Sequence, residues 1–275
     1  MHVLFILAAL AYGAATFAYG LDSDEPESAS RSQVARNASS RQRRARVLLA
    51  LAGVLHLCTI GAQCMRGEHP FGSVFLATSF GALLAVTGYC LLTLARPMHT
   101  LGAVLAPVGL FGLAAGVMFG ATSVHDPLPA PAHSLATAHI ALATLGLAGF
   151  VLAAAVAGLY LALERKLRHK QWKPRPGVMS LAGAERLHYQ IVLLVTPVFT
   201  LAIVTGVLWT VRAGGVESVG ARWIELLMAV AAWISSVAVL VLRAAFGLRG
   251  RRSAILTLFT FACTLLVIVW YGVRS

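Results

Sequence analysis

Residues His133–Lys170 read HSLATAHIALATLGLAGFVLAAAVAGLYLALERKLRHK, and this stretch decides the fold. It opens with His133 and His139, runs apolar for about six helical turns, and ends in Arg165, Lys166, Arg168 and Lys170. At about 1.5 Å per residue, the roughly 26 residues from Ala138 to Leu163 are enough to cross a hydrocarbon core of about 30 Å with some tilt. One end carries imidazoles, which take a metal or a proton. The other carries the charges that stay on the cytoplasmic side of a membrane.

The rest of the chain agrees with a bilayer setting. Of its 275 residues, 59% are hydrophobic and 12% charged, with a mean hydropathy of +0.80, whereas a soluble domain averages about a quarter charged residues. The net charge of +12 resides in short loops between apolar runs, which is the signature of membrane topology rather than of nucleic-acid binding. Membrane lipid is therefore an expected partner and nucleic acid is not.

Apolar runs bounded by charge, Pro or Gly give eight spans, at 1–20, 46–65, 71–95, 100–122, 135–164, 189–211, 222–243 and 253–273. The expected fold is all-α: a polytopic integral membrane helical bundle forming one domain over residues 1–275. The first run lacks a basic leader and a clear cleavage site, so it reads as a span rather than a signal peptide. In the fourth span Gly112, Gly116 and Gly120 form a small-residue ridge, a packing device for a neighbouring helix. Of 22 Lys and Arg, 18 fall in the loops after the first, third, fifth and seventh spans or at their edges, and 4 on the opposite side. That asymmetry places both termini outside and makes 21–45 and 165–188 cytoplasmic loops. The first of these is Ser- and Arg-rich and reads as a flexible linker; Ser180 in the second starts a short interfacial helix.

Cys58, Cys64, Cys90 and Cys263 lie in apolar runs with no C-x-x-C pair and read as small hydrophobes. His2, His69, His125, His133 and His139 crowd at the outer face, His56 lies mid-span, and His99, His169 and His188 are cytoplasmic. Two neutral imidazoles from different helices, His139 and His56, are candidates to bracket a haem iron; the competing reading is that each hydrogen-bonds across a helix interface. Trp209, Trp223 and Trp270 sit near the outer ends of spans, with Trp233 deeper, which fits either an aromatic belt or a shelf for a flat ligand. No phosphate loop, metalloprotease motif, nucleophile elbow or intramembrane carboxylate pair is present. An enzyme is therefore not expected, and the scarcity of intramembrane charge argues against a proton-coupled transporter.

Several segments carry a family resemblance. Leu181-Ala-Gly-Ala-Glu-Arg-Leu-His-Tyr-Gln, followed by Thr196-Pro-Val-Phe-Thr-Leu-Ala-Ile-Val-Thr-Gly-Val-Leu-Trp209, resembles the stretch before the tryptophan-rich loop of the CcsA family of cytochrome c assembly proteins. Gly67-Glu-His-Pro-Phe-Gly-Ser, Leu101-Gly-Ala-Val-Leu-Ala-Pro107, Ala138-His-Ile with Leu159-Tyr-Leu-Ala-Leu-Glu-Arg165, and Gly247-Leu-Arg-Gly-Arg-Arg-Ser-Ala are similar to that family in the same order. His139 matches the family's outer-face histidine. The W-x-W-D-P-K-E core is absent: Thr210–Trp233 occupies its place, with Trp223, Glu225 and Trp233 as remnants, and Leu240-Val-Leu-Arg243 stands where a second histidine is expected. This pattern resembles the shorter HemX-like branch.

The resemblance implies a haem-handling protein of cytochrome c maturation in a bacterial-type inner (plasma) membrane, working with other cytochrome c assembly proteins. His139 and His56 would be its metal ligands, and Trp209, Trp223 and Trp233 would line the macrocycle. The alternative it implies is a HemX-like regulatory or scaffolding protein of haem biosynthesis without a cofactor, contacting haem-biosynthesis enzymes through 21–45 and 165–188.

Overall fold

The computed structural model describes residues 2–20, 31–95, 98–120, 130–170 and 179–274. They form eight helices: α1 (His2–Gly20), α2 (Arg31–Cys64), α3 (Val74–Ala95), α4 (His99–Phe119), α5 (Ala130–Arg168), α6 (Leu181–Ala221), α7 (Trp223–Phe246) and α8 (Arg251–Arg274). Each contains a stretch long and apolar enough to cross a membrane, and no strand occurs among the described residues. The chain is a multi-pass helical membrane bundle. In hydrocarbon a backbone must satisfy its own N–H and C=O groups, which a helix does within one segment.

Helix α5 is the central element. In α5, 67% of the apolar window is buried, against 22% in α7. Its run of alanines, from Ala153 to Ala157, together with Phe150, Val156, Leu159 and Leu163, faces inward on several sides. Such short side chains let α3, α4, α6 and α8 all pack against it. The longest shared surface is with α6, where the absence of a side chain at Gly149 leaves room for Val195 and Phe150 meets Phe199 edge-on, at 5.2 Å between centroids.

The glycine ridge of α4 does what its spacing predicts. Gly112, Gly116 and Gly120 lie against Ala82, Ser79 and Leu76 of α3, one contact per turn. On another side of α4, Gly102 and Gly109 receive the rings of Tyr19 and Tyr12 from α1.

Two expectations need correction. The segment 21–45 is not a linker throughout, since α2 begins at Arg31; its Ala, Gln and Arg residues are good helix formers with no Gly or Pro among them. Residues 21–30 lie outside the described residues. The short interfacial helix is instead the opening of α6, which runs on without a break into the sixth span. Ser180 caps it, its Oγ accepting the Gly183 N–H at 3.1 Å. Ser73 Oγ does the same for α3, accepting from the Leu76 N–H at 3.2 Å.

Helix α6 also contains the main irregularity. At Gly215 the backbone turns to φ 72°, ψ −179°, a conformation open to glycine at little steric cost. The kink brings the end of α6 round to α7 through Ala221 and Arg222.

Candidate haem-ligand site

His139 is held from one side. Its Nδ1 lies 2.7 Å from the carbonyl oxygen of Ala202 on α6. A carbonyl only accepts, so Nδ1 carries the ring proton and donates it, leaving Nε2 with the lone pair of a neutral imidazole. Metal-binding histidines are commonly oriented this way, with the second ring nitrogen donating to a backbone carbonyl. The ring fits against α6 because residue 206 is glycine: a Cβ there would stand 2.6 Å from Cε1 and 2.8 Å from Nδ1. One turn further, the Trp209 ring stacks on the imidazole, 6.0 Å between centroids and 26° between planes. Gly206 and Trp209 are three residues apart, a spacing that puts both on the face of α6 presented to His139.

Arg222, the residue before α7, closes this group. Its guanidinium carbon lies 5.4 Å from the centre of the Trp209 ring. The Trp209 Nε1 atom is buried with no hydrogen-bond partner among the described residues. A buried donor left unpaired costs about 1–3 kcal/mol, so an acceptor at this position would be stabilising. Among the described residues no three metal-ligating side chains converge, so His139 would act as a single ligand. That suits an iron already held in a macrocycle, and an imidazole nitrogen beside an indole face is a fitting donor set for haem.

The other expected ligand is placed differently. His56 is fully buried and faces α1 and α3: the Tyr12 hydroxyl lies 3.1 Å from Nδ1 and Ser79 Oγ 2.9 Å from Nε2. With one ring nitrogen donating and the other accepting, no lone pair remains for iron. Nor does the fold bring His56 to His139, which faces Ala202 and Trp209 of α6. Nearby, Gln63 donates to the Gly116 carbonyl at 3.2 Å, so the small-residue ridge also carries a polar tie.

Of the three tryptophans, Trp209 alone touches His139. Trp223 follows Arg222 and is 61% exposed, open to the surroundings of the bundle. Trp233 lies deeper and spends its indole N–H on Thr200 Oγ1 of α6 at 2.9 Å. Thr200 in turn donates to the Thr196 carbonyl, so this pair ties α7 to α6.

His188 belongs to a buried polar group rather than to a cytoplasmic loop. It sits in α6 at 3% exposure, with Nε2 2.7 Å from Thr257 Oγ1 of α8. Close by, Arg243 of α7 pairs with Glu185 at 3.3 Å and lies 3.9 Å over the Tyr189 ring. Sequence reasoning missed this cluster because its members come from three helices. His133 falls within the helical part of α5, and His125 with Asp126 lies outside the described residues.

The family described as Cytochrome C assembly protein matches residues 71–275. No curated protein and no solved structure matches the chain. The family match covers everything from α3 to the end of the chain and carries nothing that singles out the HemX-like branch. The chain belongs to the cytochrome C assembly protein family.

Proposed function

We propose that this member of the cytochrome C assembly protein family handles haem during cytochrome c maturation, holding it where His139, Trp209 and Arg222 meet. The observation that supports this best is the Nδ1 hydrogen bond to Ala202, which leaves Nε2 of His139 as a fixed, neutral donor. Haem would supply an iron that takes a neutral imidazole nitrogen, and a flat apolar face. His139 would hold the iron through Nε2, and Trp209 would give an aromatic wall beside the imidazole. Trp223, on the first turn of α7, provides further apolar surface at the same end. Trp233 and His56 hold helices together and stand apart from the iron. The role is one of binding and presentation, with no bond made or broken by the chain's own side chains. The setting that fits the charge asymmetry is a bacterial-type inner membrane with the His139 end outward, alongside other cytochrome c assembly proteins.

Absorption spectra of the detergent-purified protein, oxidised and reduced, test this. Wild type loaded with haem should show a Soret band, His139→Ala should lose most of it, and added imidazole should restore part. His56→Ala should keep the band while melting earlier, because two buried hydroxyls lose their partner at about 1–3 kcal/mol. Equal haem content and identical spectra in wild type and His139→Ala would defeat the assignment.

A further inference from the structure

His139, Trp209 and Arg222 cluster at one end of the bundle, and iron ligation would use the first of them. We infer that Arg222 and the Trp209 indole N–H form a carboxylate-binding pair, which orients the haem by its carboxylate-bearing edge. The inference rests on the haem reading above and goes beyond it by assigning which edge of the ligand faces α7.

Arg222 sits where α6, kinked at Gly215, gives way to α7. Among the described residues its guanidinium has no carboxylate partner, and its contact is the Trp209 ring at 5.4 Å. Arg222 is half-buried at the end of the bundle, where a hydrogen-bonded carboxylate would stabilise its charge. The guanidinium fork matches a carboxylate with two parallel N–H···O bonds. Trp209 Nε1 is a donor only and is likewise unpaired. Both donors can take an oxygen acceptor, and a carboxylate would satisfy the charge as well as the hydrogen bonds.

The backbone reinforces this. Helix α7 starts at Trp223 with no side-chain cap on its first amides, so its positive end adds to Arg222. Glu225 in the same turn has contacts of its own. A dicarboxylate porphyrin offers what this set lacks: an acceptor edge joined to a plane whose centre His139 can ligate. Trp209 links the two functions, touching the imidazole and the guanidinium alike. A phospholipid phosphate shares the anionic chemistry but carries no metal for Nε2.

The test uses the full-length protein in nanodiscs of zwitterionic lipid with two iron-free probes, protoporphyrin IX and its dimethyl ester. Wild type should bind the diacid about 10- to 100-fold more tightly than the diester, the worth of a charge-assisted hydrogen-bonded pair. Arg222→Gln should lose most of that preference, Arg222→Lys should lie between, and Trp209→Phe, which keeps a ring, should lose about 3- to 10-fold. Unchanged melting temperatures in the variants show that the fold is kept. Equal affinity for diacid and diester, or no binding of the diacid, would overturn the proposal. So would an Arg222→Gln variant that binds the diacid as wild type does while losing co-purified anionic lipid. Failure of His139 as iron ligand leaves the iron-free result standing, and failure of the carboxylate pair leaves the iron spectrum standing.

Discussion

Gly206 is as much a part of the His139 site as the imidazole itself. Because a Cβ at 206 would overlap the ring, a methyl group there has to push the side chain away from the Ala202 carbonyl. The displaced group is the end of a side chain rather than backbone, so the fold can absorb the change. Gly206→Ala should therefore retain its melting temperature within a few degrees yet lose about tenfold or more in haem affinity, the scale of one oriented ligand bond, as read by haem titration at the Soret maximum. Unaltered affinity would mean that the ring orientation is not set by α6. His139 and His56 also show why residue type alone left the ligands open. One is bonded by a backbone carbonyl and keeps a lone pair; the other is bonded by two hydroxyls and keeps none. Tyr12 is 44 residues from His56 and Ser79 is 23 away, so nothing local in the sequence distinguishes the two cases.

At the scale of elements, close contact is set by small residues. The α4 ridge was legible because its glycines recur every fourth position, and the structure puts it on α3. A Cβ at Gly116 would stand 2.5 Å from Ser79 Cβ, and Ser79 is also the hydroxyl partner of His56. Gly116→Leu should thus strain the helix pair and the buried polar link together, at about 1–3 kcal/mol or more. Thermal unfolding in nanodiscs would report it. Phe111→Leu, at a position 73% exposed on the outside of α4, should stay within about 0.5 kcal/mol of wild type. A similar loss in both would argue that the ridge is not a tight contact. The α6 kink was not legible in the same way. That the backbone departs from helix at Gly215 and that Arg222 lies over Trp209 both depend on how α7 packs back.

For the whole molecule, the charge asymmetry assigns the two ends of the bundle to the two sides of the membrane. Cys64, exposed at the His139 end of α2, should react in intact cells with a membrane-impermeant maleimide. In a Cys64→Ser background, Arg249→Cys, between α7 and α8, should react only after permeabilisation. The reverse pattern would invert the orientation and move the His139 end to the cytoplasm.

The number of helices and their membrane setting were determined by the sequence itself. Both follow from a local quantity, an unbroken apolar length, that needs no partner to be read. The family was legible too, because motifs such as that from Thr196 to Trp209 keep their order along the chain, and the match over residues 71–275 bears it out. Tertiary structure alone decided which histidine keeps a free nitrogen, which tryptophan reaches it, and where His188 and Arg243 lie. Those outcomes depend on hydrogen bonds and ring contacts between helices that are distant in sequence. A bundle of uniformly apolar helices records its register in glycine positions, and these acquire meaning only when the partner helix is in place.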